Sequence, residues 1–467
     1  MPQKQGSDPA QEPKKRRRVG VSAVPDAGID PNECISVYLV SKKEDVGTSG
    51  GFRLDPVDLG NFFEDDGKIY GYQGLKISAW ISAVSFHAHA EVAFESSSDR
   101  GKGITDLKSA LKNMFGETLL DDKDEFIQTF STDSQYVRSS ISSGDILHME
   151  PCNRSAEDSN TILRVDHTKV EVVRMVMGNM AAGHLYSRLV PLVLLLVDGS
   201  NPIDVTDSSW ELYVLIKKVP GLKNSLDSLL GFAALYRFYH HPDSTRLRLG
   251  QILVLPPYQH EGHGRFLLEV LNYVAVRDDV YDLTIEEPLE YLQRLRTSMD
   301  ILRLLISDKV QLAVESTVSQ LKQEKLLKKL TIPKLLPPKN LVEDVRKAFK
   351  INKKQFLQCW EILIYIALAG DKKHIQEYNF VVSNRVRTEI LGKDSVTPRK
   401  RVIDVPSKYH GEMSFVMYKA EEGEDSANGV TVLDRDKRKQ EEQLQQLVDE
   451  RLKEIESIAE KVSRHRS

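Results

Sequence analysis

The sequence predicts an α+β fold centred on a mixed sheet, and two observations carry that prediction. Apolar stretches with the composition of strands recur between residues 168 and 255. The last of them leads into a glycine turn, an amphipathic helical pattern and one further strand. Beyond residue 289 the apolar spacing becomes helical. We therefore expect a strand–glycine turn–helix–strand core, preceded by a mixed α/β domain and followed by a helical region.

The individual elements follow from local patterns. Strands of the central sheet are predicted at 168–177, 188–199, 210–219, 229–240, 246–255 and 280–288. The second of these includes "VPLVLLLV" (190–197), an apolar run too short to span a bilayer and therefore expected to be a buried strand. Earlier in the chain, "GLKISAWISAVSFHAHAEVAF" (74–94) predicts a strand pair, and 106–115 and 122–130 predict short helices.

The length of 467 residues allows two or three domains. The predicted segments are a disordered arm (1–30), an N-terminal domain (31–185), a core (186–300), a helical C-terminal domain (301–420) and a charged amphipathic C-terminal helix (421–467). The apolar stripe of that last helix leaves two alternatives open, a helix solvated on its own or one that docks a partner.

Charge and cysteine usage bound the class of protein. The net charge of -4 gives the whole chain no bias toward nucleic acid or an acidic membrane. Three widely separated cysteines argue against a disulfide framework and favour a reducing compartment. The polar N-terminus lacks the apolar segment of a secretory signal, and "PKKRRRV" (13–19) predicts a nuclear import signal. We expect a soluble intracellular protein.

The glycine turn "QHEGHG" (259–264) lies between a predicted strand and a predicted helix. It lacks the third glycine of a dinucleotide-binding turn, and Gly264 is followed by Arg265 rather than by the Lys-Ser/Thr of a phosphate-binding P-loop. Two interpretations remain from these residues. The turn is either a plain tight turn or a metal-free cradle in which main-chain N–H groups and a helix N-terminus bind a pyrophosphate.

A wider resemblance favours the cradle. "QHEGHG" resembles motif A of the GCN5-related N-acetyltransferases (GNAT), in which Q/R-x-x-G-x-G/A holds the pyrophosphate of acetyl-coenzyme A. The longer stretches "QILVLPPYQHEGHGRFLLEVLNYV", "LTIEEPLEYLQRLR", "NPIDVTDSSWELYVLIKK" and "YGYQGLKISAW" resemble the type B histone acetyltransferases, with a plant-type member as the expected match. The resemblance implies a GNAT core at 186–300 and histone-tail binding by 31–185.

The resemblance also implies substrates and partners. Acetyl-coenzyme A would be the co-substrate, with no metal, and the acceptors would be tail lysines of newly made, free histone H4 carried together with H3. The expected partner is a WD-repeat histone chaperone of the RbAp/MSI type, with no direct contact to nucleic acid or membrane. The protein would visit both nucleus and cytoplasm and serve chromatin assembly. The alternatives are an acetyltransferase for another protein or a polyamine, and a catalytically silent histone-binding adaptor.

Catalytic candidates come from "IEEP" (285–288), at the end of the strand that follows the glycine-turn helix. Direct transfer in a ternary complex needs a neutral amine, and a carboxylate can take its proton. By resemblance Glu286 is the general base. Glu287 matches a neighbouring catalytic acid that is normally Asp, and Asp198 matches a third that is normally Glu, so both depart from the family in side-chain length.

Cofactor contacts are expected along the strand, the turn and the residues after "IEEP". Main-chain groups of Ile252, Leu253 and Val254 would meet the pantetheine arm. The other expected cofactor contacts are Gln259, His260, Glu261, Gly262, His263, Gly264, Arg265, Pro288 and Tyr291. His260 and His263 lack a third ligand nearby, so no metal site is predicted.

A cationic tail needs acids and aromatics. Glu64, Asp65 and Asp66 in "FFEDDG" would form an acidic turn suited to Lys or Arg side chains. By resemblance Trp210 and Tyr236 line the peptide groove, whereas their sequence context alone favours core positions.

Overall fold

The computed structural model describes residues 27–48, 50–63, 66–99, 102–147, 170–217, 228–323, 335–391 and 429–464. The predicted import signal at 13–19 and the acids Glu64 and Asp65 lie outside these residues. The chain divides into two compact units, Met1–Phe130 with Leu194–Asp198, and Ser131–Val193 with Gly199–Ser467.

The first unit is built on a four-stranded sheet. Its strands and helices are α1 (Pro31–Cys34), β1 (Ile35–Val40), β2 (Phe52–Arg53), β3 (Tyr72–Gln73), β4 (Lys76–Ser82), β5 (Ala88–Ala93), β6 (Ser96–Ser97), α2 (Leu107–Phe115) and α3 (Lys123–Thr132). The sheet has the order β2-β1-β4-β5, in which β1 and β4 are parallel and the other pairs antiparallel. Trp80 of β4 and Phe126 of α3 are buried in its core. The strand pair and the two helices predicted here are therefore present.

The second unit contains a six-stranded sheet and most of the helices. Its elements are α4 (Ser134–Ser142), β7 (Asp145–Leu147), β8 (Val170–Val176), α5 (Met180–Leu196), β9 (Trp210–Lys217), β10 (Ser228–His240), β11 (Ser244–Val254), α6 (His263–Arg277), β12 (Leu283–Ile285), α7 (Glu290–Leu304), α8 (Asp308–Gln323), α9 (Lys339–Phe349), α10 (Lys353–Leu368), α11 (Lys372–Leu391) and α12 (Gly429–Arg464).

The six strands have the order β12-β11-β10-β9-β8-β7. Only β11 and β12 run parallel, since helix α6 connects them as a crossover. The inner face of this sheet packs on α6 through residues such as Leu247, Leu249 and Leu267, all of them buried. The predicted fold class is confirmed: an α+β chain with a strand–glycine turn–helix–strand core and a helical C-terminal region.

One predicted strand is wrong. Residues 190–197, expected to form a buried strand, belong mostly to helix α5. The residues of α5 that are fully buried include Ala182, Leu185, Tyr186, Leu189, Leu192 and Val193. Their spacing of three and four is helical, but four of these six residues precede residue 190. An eight-residue apolar run, taken alone, cannot distinguish a buried helix from a buried strand.

The C-terminal helix is part of the helical core. Val448, Ile455, Ile458 and Val462 of α12 are buried in the same cluster as Phe356 and Trp360 of α10, and Leu444 is also buried. Arg451 of α12 is ion-paired with Glu361 of α10 at 2.9 Å. The apolar stripe of α12 is thus covered within the second unit and is neither solvated nor left open for a partner. In the described part of the chain, no helix combines the length and apolar character needed to cross a membrane.

Candidate active site

Strand β11 carries an irregularity at Gly250. Its register with β10 pairs Ala234 with Gln251 and Leu235 with Leu249, so Gly250 has no partner across the strand pair. This is a β-bulge. On the other side, β12 pairs with β11 only as far as Leu249. From Gly250 onward, no strand among the described residues pairs with this edge of β11.

Main-chain polar groups of β11 face that open edge. The Leu255 N–H donates to the Leu230 carbonyl of β10 at 2.9 Å. Since main-chain groups alternate along a strand, those of Leu253 also face β10, whereas those of Ile252 and Val254 face the open edge. The Gln259 side-chain amide donates to the Val254 carbonyl at 3.0 Å. The amides of a pantetheine arm could pair with this edge, chiefly at Ile252.

The glycine turn ends in a helix N-terminus. His260 and Gly262 adopt left-handed backbone conformations with φ of 64° and 88°, and α6 begins at His263. Gly262, at the N-cap position, offers no side chain to cap the helix, and the first helical hydrogen bond runs from the Phe266 N–H to the Gly262 carbonyl. The N–H groups that precede Phe266 have no partner within the helix. Together with the positive end of the helix dipole, they form a site suited to a pyrophosphate.

Gly264 leaves space above this N-terminus. A Cβ atom there would lie 3.6 Å from the Tyr291 hydroxyl and 3.8 Å from Val254 Cγ2, which is ordinary contact. Packing within the protein would therefore tolerate a side chain at position 264. The space that glycine leaves empty is available to a ligand. Tyr291 is exposed, and its hydroxyl points over the same turn.

Other residues of the turn have partners inside the protein. His263 is buried, with Nε2 3.2 Å from Glu261 and Nδ1 without a hydrogen-bond partner. Arg265 donates from Nε to Glu269 at 3.0 Å, so its charge is partly neutralised before any phosphate arrives. Among the described residues, no group of three or more His, Cys, Asp or Glu side chains is placed to hold a metal ion.

Glu286 lies at the start of the open edge. Its main-chain N–H donates to the Leu249 carbonyl at 2.9 Å, and its carboxylate is half exposed. A Cβ atom on Gly250 would lie 3.0 Å from Cη2 of Trp210 and 3.7 Å from Oε2 of Glu286. Gly250 therefore separates an aromatic ring from a carboxylate, with only its hydrogens between them.

Trp210 and Tyr236 meet at the same place. They are cross-strand partners on β9 and β10, with ring centroids 5.0 Å apart in an edge-on arrangement, and neither is fully buried. Tyr236 also hydrogen-bonds Asp207, whose pKa is lowered first by the Ser209 N–H and also by this contact. The structure brings Glu286, Trp210 and Tyr236 together around Gly250.

A buried amide anchors the segment that leads into Trp210. Gln251, next to the bulge, accepts from the Tyr186 hydroxyl at 2.9 Å. Its amide nitrogen donates to Ser200 Oγ at 2.9 Å and to the Asn201 carbonyl at 2.7 Å. Sequence patterns alone do not identify Gly250, Asp207 or Gln251 as residues of the site. A glycine inside a strand pattern is nevertheless a known signal of a bulge.

The remaining predicted acids have other surroundings. Glu287 has a left-handed backbone with φ of 35°, which turns the chain away immediately after Glu286; Pro288 then leads into α7. Asp198 is exposed in the turn after α5 and belongs to the first unit. Asp66, also of the first unit, accepts from the Tyr70 hydroxyl and pairs with Lys102 at 3.5 Å, and the Tyr70 hydrogen bond is the main cause of its lowered pKa.

Comparison with known proteins adds a family to this geometry. A family model described as "Histone acetyl transferase HAT1 N-terminus" matches residues 27–198. The chain is 51% identical to the "Histone acetyltransferase type B catalytic subunit" of Arabidopsis thaliana over 99% of its own length and 98% of that protein. The protein of the same name from Zea mays is 46% identical, over 96% of this chain and 94% of that protein.

One solved structure is similar over a smaller part. The aminoglycoside acetyltransferase meta-AAC0020, crystallised with trehalose, is 14% identical and covers 27% of this chain and 80% of its own. The TM-score of 0.21 is too low for an argument about fold or function.

Proposed function

The chain belongs to the family of histone acetyltransferase type B catalytic subunits, and from that premise we propose that it acetylates tail lysines of newly synthesised, free histone H4. Membership makes it an acyltransferase with acetyl-coenzyme A as co-substrate. The proposal concerns the acceptor, the mechanism and the partners. The single observation that carries it is the convergence of Glu286, Trp210 and Tyr236 around Gly250, on the edge of β11 that leads into the glycine turn.

The proposed reaction is direct transfer in a ternary complex. A lysine ammonium has an ordinary pKa of about 10.4, so it must lose a proton before it can attack. Glu286 takes that proton, and the neutral nitrogen forms a bond to the thioester carbonyl carbon. The carbon–sulfur bond then breaks, and coenzyme A leaves as its thiolate, which takes up the second proton that the attacking nitrogen loses as the amide forms. The N–H groups at the start of α6 hold the pyrophosphate, and the main chain at the open edge of β11 orients the pantetheine arm.

The aromatic pair gives the acceptor a defined approach. The stem of a lysine is a chain of methylene groups that packs well against flat apolar rings. Trp210 and Tyr236 are half-buried and lie beside the Glu286 carboxylate, which suits a side chain that is apolar along its length and cationic at its tip. On this proposal Asp66, with Glu64 and Asp65 of the same segment, binds other cationic residues of the tail.

The proposal extends to the cellular setting. Histone H4 would arrive with H3, and a WD-repeat histone chaperone of the RbAp/MSI type would be the partner. The basic segment at 13–19 supports passage between cytoplasm and nucleus, where the product would feed chromatin assembly. Deleting residues 13–19 from the full chain should shift a fluorescent fusion toward the cytoplasm.

A transfer assay tests the acceptor. Purified protein is incubated with radiolabelled acetyl-coenzyme A and a mixture of core histones, which are then separated. We expect label on histone H4. Absence of label on every histone would refute the proposal and favour a silent adaptor, and stronger labelling of polyamines than of histones would favour a different acceptor class.

Substituting Glu286 tests the mechanism. Glu286→Gln keeps the shape of the side chain but removes the base, so kcat should fall by about 10²- to 10⁴-fold. The exposed acid Glu460 of α12 offers a matched control, because Glu460→Gln removes the same charge far along the chain from any proposed site residue. A Glu286→Gln variant with full activity would disprove general-base catalysis by this residue.

A further inference from the structure

The two carboxylate oxygens of Glu286 have different neighbours. Oε1 lies 3.6 Å from Nη1 of Arg248, which precedes the bulge on β11. Oε2 lies on the side of Gly250 and Trp210, 3.7 Å from the position of a Gly250 Cβ atom. One oxygen is therefore held by a cation, and the other faces the gap in which the proposed acceptor reacts.

Arg248 is itself held in place. Its guanidinium carbon lies 4.5 Å from the centre of the Phe238 ring, in a cation–π contact. The Phe238 ring in turn lies 4.5 Å from that of Tyr236, which meets Trp210. Arg248, Phe238, Tyr236 and Trp210 therefore form a continuous row of side chains. Glu286 contacts Arg248 at one end of this row and lies near Trp210 at the other.

We propose that Arg248 is a positioning residue for Glu286: it holds Oε1 so that Oε2 is the oxygen that accepts the proton of the incoming lysine. This inference rests on the proposed role of Glu286 as the base. The terminal torsion of a glutamate is broad, so a carboxylate without a partner would sample many orientations. The main-chain bond from Glu286 to Leu249 and the side-chain contact to Arg248 anchor both ends of the residue on one strand.

The Arg248–Glu286 ion pair contributes little to the stability of the fold. Both side chains are partly exposed, at 39% for Arg248 and 51% for Glu286, and ion pairs at such positions contribute little to folding. Orientation of a catalytic group, in contrast, affects the rate even when the energy involved is small. Glu287, which has the same charge, follows Glu286 directly in the chain, and a cation on Oε1 offsets that repulsion.

The test compares substitutions of Arg248 in two backgrounds. Arg248→Met keeps an unbranched stem against Phe238 and removes the cation, and we expect kcat to fall on the order of fivefold with the KM for acetyl-coenzyme A unchanged. Arg248→Lys keeps a cation and should retain most of the rate. In the Glu286→Gln background, Arg248→Met should cause no further loss, because the group it positions is already gone. Arg464→Met, which removes an arginine from the exposed pair with Glu460, is the matched control.

Several outcomes would overturn the inference. An unchanged or increased kcat for Arg248→Met would mean that Arg248 only competes with the substrate cation for Glu286. An equal loss in both backgrounds would assign Arg248 a purely structural role, which thermal unfolding of the variants would reveal independently. Full activity of Glu286→Gln alone would instead refute the proposed mechanism, so the two failures are distinguishable.

Discussion

One methyl group added at Gly250 tests whether the gap between Trp210 and Glu286 is where the acceptor reacts. In Gly250→Ala the new carbon would lie 3.0 and 3.2 Å from two carbons of the Trp210 ring, closer than ordinary contact. Gly250 does not have a left-handed backbone, so alanine is tolerated by the chain and the effect comes from the methyl group. The ring must move by a few tenths of an ångström, toward a space already bounded by Tyr236.

The size of the effect follows from these contacts. Overpacking costs about 1–3 kcal/mol in a rigid core, and Trp210 is only half-buried, so the lower end applies. Replacing glycine with alanine also lowers the conformational entropy of the unfolded chain, which stabilises the folded state by about 0.4–1 kcal/mol. The free energy of unfolding should thus change by less than about 1 kcal/mol. The rate is more sensitive, because the methyl group occupies the space in front of Oε2, and displacing a reacting atom by about 1 Å costs on the order of 100-fold.

Initial rates should separate the two substrates. We expect kcat/KM for a histone H4 tail peptide to fall by about 10- to 100-fold, with the KM for acetyl-coenzyme A nearly unchanged. Gly183→Ala is the control, since Gly183 lies inside α5 and its new Cβ would meet Val205 at 3.4 Å, a contact that requires little movement. The reasoning fails if Gly250→Ala keeps full kcat/KM for the peptide, or if its defect appears in the KM for acetyl-coenzyme A instead.

Two further substitutions address the other substrate and the stability of the sheet. Gly264→Ala should raise the KM for acetyl-coenzyme A by about tenfold, because the new Cβ atom fills the space above the N-terminus of α6. The fold should keep its stability, since the nearest protein atom to that Cβ lies 3.6 Å away. Unchanged cofactor affinity in a direct binding assay would contradict this prediction. Glu211→Gln should lower the free energy of unfolding by about 3 kcal/mol, because it removes the buried carboxylate that Arg174 and Arg237 share and leaves both of them to Asp278 alone. Burial alone would raise the pKa of Glu211, but hydrogen bonds from Arg237, Arg174 and Tyr213 outweigh it and hold the pKa below its ordinary value. The contribution of Glu211 is therefore present above its unfolded pKa of about 4.3 and is lost as the pH falls through its lower folded pKa, so the stability gap between wild type and variant should shrink in acid denaturation.

Elements with strong local patterns could be predicted from the sequence. The strands β9, β10 and β11 follow from apolar stretches and from polar–apolar alternation such as that of residues 246–249, and α6 follows from an apolar stripe that begins after the glycine turn. Helix α5 could not be assigned from its apolar end alone, because its periodicity is visible only when the preceding residues are included.

The local motifs of the candidate site could be predicted from the sequence, whereas the contacts between its strands could not. The glycine turn and "IEEP" are local motifs, so Glu286 and Gly264 can be named as candidate site residues from the amino-acid sequence alone. The bulge is a relation between two strands, and only the pairing of β11 with β10 reveals that Gly250 is unpaired. The contact between Arg248 and Glu286 likewise depends on the parallel pairing of β11 with β12, in which Arg248 lies opposite Thr284. Similarly, Trp210 and Tyr236 are distinguished from core residues only by their exposed sides, which depend on how the strands pack.

The bulge explains how a single strand can serve both halves of the site. Before it, the Leu247 N–H and the Leu249 carbonyl bond to the segment around β12; after it, Ile252 and Val254 face the same edge. In a regular strand, even- and odd-numbered residues would face opposite edges throughout, so the extra residue is what changes the parity. The same shift keeps Leu249 and Ile252 together on the face that packs against α6, while Gln251 reaches Tyr186 on the other face. Gly250 therefore turns the main-chain groups of Ile252 and Val254 toward the open edge and, having no side chain, leaves a gap in front of Glu286.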